Sequence, residues 1–192
     1  MSYDIILCGV GGQGTILASK LLANASMDRG LAVKTAETIG MAQRGGSVFS
    51  HVRIGEASCP LIGRGRADLI IAFEPAEAVR QLAFLRPGGT VVTSNRPIVP
   101  ASAMVGGPAY DVKTVMDYLR AKVEHLVVVD ADAAARDLGS AKCLNVVLLG
   151  AASRACELGL SEQDLLAAIH KLLPQKLWEL NERALAYTTK ND

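Results

Sequence analysis

Apolar and polar positions along this chain switch between two periods. Tyr3 to Cys8 is a nearly continuous apolar run closed by Gly9, the pattern of a strand buried on both faces. Thr15 to Met27 then sets Ile16, Leu17, Leu21, Leu22 and Ala25 at helical spacing, and Gly30 stands where that helix should close. Leu31 to Ala36 reads as a second strand ending at Glu37. Strand, glycine turn, helix and strand make a βαβ unit, for which a right-handed connection is expected.

Val48, Ser50, Val52 and Ile54 fall on one face of an alternating strand, a candidate for antiparallel pairing. Asp68 to Phe73 is a further apolar strand. Pro75 stands at a first helical position, and Ala78, Val79, Leu82 and Leu85 share one helix face. Pro87-Gly88-Gly89 predicts a turn before the strand Thr90 to Thr93, and Pro97, Pro100, Gly106, Gly107 and Pro108 predict a long loop. A helix from Asp111 to Val123, a strand from Leu126 to Val129 and a short helix from Asp130 stopped by Gly139 follow. The remainder reads as helical: Lys142 to Glu157, a helix opened by the capping pair Ser161 and Asp164, and one from Gln175 to Tyr187 after Pro174.

No composition shift marks a boundary, so residues 1–192 form a single domain. The alternation predicts a three-layer α/β/α sandwich. Its sheet is Rossmann-like, doubly wound and mostly parallel, with one strand open to antiparallel pairing, and its C-terminal segment is helical.

Half of the residues are apolar, and 20 basic against 19 acidic residues leave a formal charge of +1. That balance gives no electrostatic footprint for nucleic acid. No apolar stretch approaches the roughly 20 residues of a membrane span, and the N-terminus has no basic region ahead of its apolar run, so a cytoplasmic location is expected. Cys8, Cys59, Cys143 and Cys156 lie too far apart for a zinc or iron–sulfur pattern, and their apolar or small-residue settings favour buried, reduced thiols.

The most specific local motif is Gly9-Val10-Gly11-Gly12-Gln13-Gly14, which fits G-x-G-x-x-G between a strand and a helix. Glycine at 9 permits the tight turn, glycine at 11 or 12 admits a ligand to the backbone, and glycine at 14 lets the helix sit close to the sheet. The helix N-terminus adds free N–H groups for an anion. Glu37 stands where a dinucleotide site would place a ribose-binding acid.

The second motif, Gly40-Met41-Ala42-Gln43-Arg44-Gly45-Gly46-Ser47, follows the second strand at the carboxyl edge where open α/β sheets bind ligands. From Gly40 to Ala67 the chain carries Arg44, His51, Arg53, Arg64 and Arg66 against the single acid Glu56, which suits an anionic ligand, an acidic protein surface or a solvated face. His51, His125 and His170 show no triad or metal spacing, and Ser47, Ser50 and Thr15 have no base in sequence-visible reach. Asn145, polar within Leu144 to Leu149, predicts a specific hydrogen bond. These residues leave two readings open: a free-standing NAD- or FAD-binding oxidoreductase, and a nonenzymatic nucleotide-binding assembly module.

The paired segments GVGGQGTILASKLL at 9–22 and ETIGMAQRGGSVFSHVRIG at 37–55 resemble the γ-type component of 2-oxoacid:ferredoxin oxidoreductases. The likeness is greatest to the small (β) subunit of indolepyruvate:ferredoxin oxidoreductases, and it extends through ADLIIAFEPAEAVRQL at 67–82, PGGTVV at 87–92 and CLNVVLLGA at 143–151. It implies a single pyruvate/ketoisovalerate oxidoreductase γ-type domain within an enzyme that decarboxylates an aryl-pyruvate, transfers the acyl group to coenzyme A and reduces ferredoxin.

In that family thiamine diphosphate and the iron–sulfur clusters reside on a larger catalytic subunit, so this chain alone is expected to hold no cofactor. It is also expected to be inactive in isolation and prone to self-association. The resemblance places no catalytic residue here. Gly9, Gly11, Gly12, Gln13 and Gly14, with Glu37, Gln43, Arg44, Gly45, Gly46 and Ser47, are the candidate cofactor-binding residues. They shape either a nucleotide-like pocket or a subunit junction, with Arg44 suited to a phosphate of coenzyme A or a partner carboxylate.

Overall fold

The computed structural model describes residues 2–37, 45–99 and 110–188. The apolar run near the N-terminus forms β1 (Tyr3–Val10), and α1 (Thr15–Asp28) follows the glycine turn. Gly30, at a φ of 73°, closes α1, with its N–H on the Met27 carbonyl and the Leu31 N–H on Ser26. Next come β2 (Val33–Glu37), β3 (Ser47–Ile54), β4 (Ala67–Ala72), α2 (Pro75–Gln81) and β5 (Leu85–Ser94). The chain continues through α3 (Val112–Lys122), β6 (His125–Val129), α4 (Ala131–Leu138), α5 (Leu144–Ala155), α6 (Glu162–Leu172) and α7 (Trp178–Leu185). The expected capping box opens α6: Ser161 Oγ accepts the Asp164 N–H at 3.2 Å, and Asp164 accepts the Ser161 N–H at 2.7 Å.

Among the described residues, six strands form one mixed sheet in the order β2-β3-β1-β4-β5-β6. β1, β4, β5 and β6 pair in parallel, while β3 is antiparallel to both β1 and β2. β2 therefore does not pair with β1. The expected βαβ unit exists as a crossover, but β3 fills the place between its two strands.

Alternating residues of β1 feed two cores. Ile5 and Leu7 join Leu69 and Ile71 beneath α1, α5, α6 and α7, whereas Ile6 and Cys8 join Ile70, Ala72 and Val91 beneath α2 and α3. The result is the expected three-layer sandwich, with the C-terminal helices on the α1 face.

Four expectations change in the folded chain. Leu85, read on one helix face with Ala78 and Val79, instead opens β5, since α2 ends at Gln81. Pro87-Gly88-Gly89 is an irregularity within β5 rather than a turn before it: Ala67 pairs with Leu85, but Leu69 already pairs with Thr90. All four cysteines are free, yet only Cys8 and Cys143 are buried; Cys156 is half-buried and Cys59 exposed. The described part of the basic run, residues 45–67, does not form one surface, because antiparallel β3 carries it from the carboxyl edge at Ser47 to the amino edge at Ile54. There Arg53 forks onto Asp4 at 2.8 and 3.0 Å, while His51 is buried between Phe49 and Phe84. Residues 100–109 of the expected long loop lie outside the described residues.

Candidate functional site at the carboxyl edge

β1 and β4 are parallel neighbours whose following helices lie in different layers: α1 over one core and α2 over the other. A crevice opens at such a switch point outside the carboxyl ends of the strands. On the β3 side of β1, away from β4, Gly45 and Gly46 meet the glycine turn. The Gly11 N–H donates to the Gly46 carbonyl at 2.8 Å, and the Gly45 N–H donates to the Gly11 carbonyl at 3.3 Å, which extends the β1–β3 ladder past Val10 and Ser47.

Gly12 and Gly14 hold φ values of 105° and 86°, the left-handed region that favours glycine. Gly14 is constrained twice, since a Cβ there would lie 2.6 Å from Asn145 Nδ2. Asn145 is the buried polar residue singled out above, and its amide donates to the Gly14 carbonyl at 3.5 Å from the start of α5. Gly9 leaves room for Gln13 and Phe73, which a Cβ would approach to 2.8 and 3.1 Å.

Gln13 faces inward. Its Oε1 accepts the Val10 N–H at 2.7 Å and its Nε2 donates to the Phe73 carbonyl at 2.9 Å, so the side chain shapes the turn. Glu37 accepts a hydrogen bond from Ser19 on α1 at 2.7 Å. With β3 interposed, it lies a strand spacing, about 4.8 Å, farther from β1 than a neighbouring second strand would place it. Gln43 and Arg44 lie outside the described residues.

A cavity of about 290 Å³ opens between the glycine turn, Thr15 and Ile16 of α1, and Val48 to Ser50 of β3. Gly14 caps α1 without a side-chain bond, so the N–H groups of the first turn lack intrahelical acceptors. Thr15 and Ser50 line the same cavity at 5% and 2% exposure, and their hydroxyls make no hydrogen bond among the described residues. Backbone N–H groups and hydroxyls so arranged suit a small oxyanion.

On the other face of β1 lies a buried acidic pair, Glu74 and Glu77, that sequence reasoning did not single out. Glu74 caps α2 through the Glu77 N–H at 3.0 Å and also takes the Tyr110 hydroxyl; Ser47 donates to Glu77 at 2.5 Å. Burial chiefly pushes the Glu77 carboxyl upward, with neighbouring Glu74 adding to it and Ser47 and Arg80 opposing. The Cys8 thiol is pushed well up by burial and then by both glutamates. Glu74-Pro75 with Glu77 after it is a helix-start signature, which was the available signal for Glu74. Among the described residues, no three His, Cys, Asp or Glu side chains gather as a metal site. No described helix is long and apolar enough to cross a membrane.

Residues 4–190 match the family described as Pyruvate ferredoxin/flavodoxin oxidoreductase. The chain belongs to the pyruvate ferredoxin/flavodoxin oxidoreductase family. A relative within reach of this family member is the indolepyruvate oxidoreductase subunit IorB of Archaeoglobus fulgidus, 40% identical and covering 96% of this chain and 92% of its own. The pyruvate/ketoisovalerate oxidoreductases common subunit gamma of Thermococcus kodakarensis is 25% identical over 94% and 92%.

The keto/oxoacid ferredoxin oxidoreductase gamma subunit of Geobacter sulfurreducens shares the fold at a TM-score of 0.72, 23% identical, over 96% of this chain and 93% of its own. A 2-oxoglutarate:ferredoxin oxidoreductase of Magnetococcus marinus, solved with 2-oxoglutarate, coenzyme A and succinyl-CoA bound, shares it at 0.68 and 22% identity. That match covers 96% of this family member but 30% of the Magnetococcus chain, where the fold is one part of a longer polypeptide.

Proposed function

We propose that this chain is the small, site-completing subunit of an indolepyruvate-type 2-oxoacid:ferredoxin oxidoreductase, working with a larger catalytic subunit. Near full-length similarity to the IorB subunit supports the assignment. In this reading thiamine diphosphate on the partner supplies the electron sink for decarboxylation, and the partner's iron–sulfur clusters carry the electrons to ferredoxin.

The observation that carries the chain's own role is the junction of Gly11 with Gly45 and Gly46 beside the small cavity. A volume of about 290 Å³ sits at the lower end of ligand sites, which run from roughly 300 to 1,000 Å³. It suits one phosphate-bearing portion of coenzyme A, with the partner enclosing the rest. The first-turn N–H groups of α1 and the hydroxyls of Thr15 and Ser50 orient that portion. Arg44, next to Gly45 in the chain, is the candidate for the positive charge, and the inward-facing Gln13 keeps the turn in shape. Glu37 is held by Ser19 and supports the wall of the site.

The test is to purify the chain alone and together with its larger subunit, then measure indolepyruvate- and coenzyme A-dependent reduction of methyl viologen. Activity in the pair and none in either part is the expected result. No activity in the pair with indolepyruvate, pyruvate or 2-oxoglutarate overturns the proposal.

A further inference from the structure

Two buried carboxylates stand at the end of α2 that faces the glycine turn, and they do different work. Glu74, 2% exposed, accepts the Glu77 N–H at 3.0 Å, the Ile98 N–H at 3.4 Å and the Tyr110 hydroxyl. It caps α2 and gathers the backbone after β5 with the residue ahead of α3. Glu77, 4% exposed, reaches β3 instead: Ser47 Oγ donates to its Oε2 at 2.5 Å, while Arg80 Nε lies 3.2 Å from its Oε1.

Ser47 opens β3 opposite Val10, and its neighbour Gly46 accepts the Gly11 N–H at 2.8 Å. The contacts therefore run from Glu77 through Ser47 and Gly46 to Gly11, at the wall of the cavity. A cap for α2 needs only Glu74. Burying a second carboxylate is costly unless its hydrogen bonds are used, and among the described residues the bond that leaves α2 goes to Ser47.

We propose that Glu77 is a positioning residue for the glycine-turn site, acting through Ser47 to hold the Gly45–Ser47 segment against Gly11. Its importance for coenzyme A rests on the function proposed above; its geometric role does not. The charged and titratable groups around it are Arg80 on α2, Glu74 at the cap, Cys8 on β1 and Tyr110 ahead of α3, and the rise in its proton affinity comes first from burial.

The test uses the full chain, free and with its larger subunit. Glu77→Gln keeps the shape but removes the charge; Ser47→Ala removes the hydroxyl and Ser47→Thr retains it. In the complex, Glu77→Gln and Ser47→Ala should raise the KM for coenzyme A about tenfold relative to any change in kcat, with Ser47→Thr near the parent protein. In the free chain, hydrogen exchange should accelerate at the Gly11 and Gly45 amides, the two donors of the junction, in the first two variants, with β4 unchanged.

Unchanged exchange at Gly11 and Gly45 overturns the positioning role whatever the activity. Loss of protection throughout the chain overturns it too, since Glu77 would then be a general structural residue. An inactive parent complex with the local exchange effect intact removes the proposed function and leaves the positioning role standing.

Discussion

The Gln13 carboxamide joins the ends of two strands: it donates to the Phe73 carbonyl at 2.9 Å just past β4 while accepting the Val10 N–H at 2.7 Å at the end of β1. One side chain thus satisfies a donor and an acceptor that the glycine turn would leave unpaired, and it holds the two lips of the crevice at a fixed separation.

Gln13→Ala should cost about 2 kcal/mol, because both backbone groups lose their partner in a partly buried setting. Gln13→Glu should cost more, since a carboxylate oxygen would replace the N–H donor and face the Phe73 carbonyl. Chemical denaturation of the three proteins checks the order, and equal midpoints would show that Gln13 does not shape the turn.

Gly12 and Gly14 separate stability from function. Gly14→Ala combines an unfavourable φ with a Cβ 2.6 Å from Asn145 and should destabilise by about 2–3 kcal/mol. Gly12→Ala meets nothing within 4 Å and should cost only the backbone strain, about 1 kcal/mol, yet its methyl group enters the site. Thermal melts with coenzyme A titrations should therefore find Gly12→Ala folded but impaired in binding.

The Glu77 carboxyl is raised in the folded chain, so the native state holds its proton more tightly than the unfolded chain does. Its contribution to stability is thus fully present below the ordinary glutamate range and is lost as pH rises through the raised folded value. Glu77→Gln removes this dependence. The Tm of the parent minus that of Glu77→Gln should grow more positive as pH falls from about 7 to 5. A difference independent of pH would show that Glu77 titrates alike in both states.

Coenzyme A at saturating concentration should raise the Tm of the chain or its complex by a few degrees, and NAD or FAD should not. Thr15→Val and Ser50→Ala should reduce the coenzyme A effect without lowering the ligand-free Tm by more than a degree or so, because neither hydroxyl has a partner to lose among the described residues. A dinucleotide shift equal to that of coenzyme A would instead favour the NAD- or FAD-binding reading.

Much of this protein was written locally. The apolar run of β1, the glycine turn, the 3.6-residue period of α1, its stop at Gly30 and the capping box at Ser161 depend on residues within a few positions of one another, so the sequence by itself determined them. The alternation of Val48 to Ile54 likewise marked a strand, and Asn145 announced a hydrogen bond.

Tertiary structure decided which strands became neighbours. β3 enters between β1 and β2, separates Glu37 from the turn and carries Arg53 to the amino edge, because strand pairing joins residues distant in sequence that no local period encodes. The same holds for Glu77 with Ser47 and for Asn145 with Gly14. Each side chain was visible from the start, but its partner lay 30 residues away in one case and 131 in the other, and only the packed layers brought them within hydrogen-bond reach.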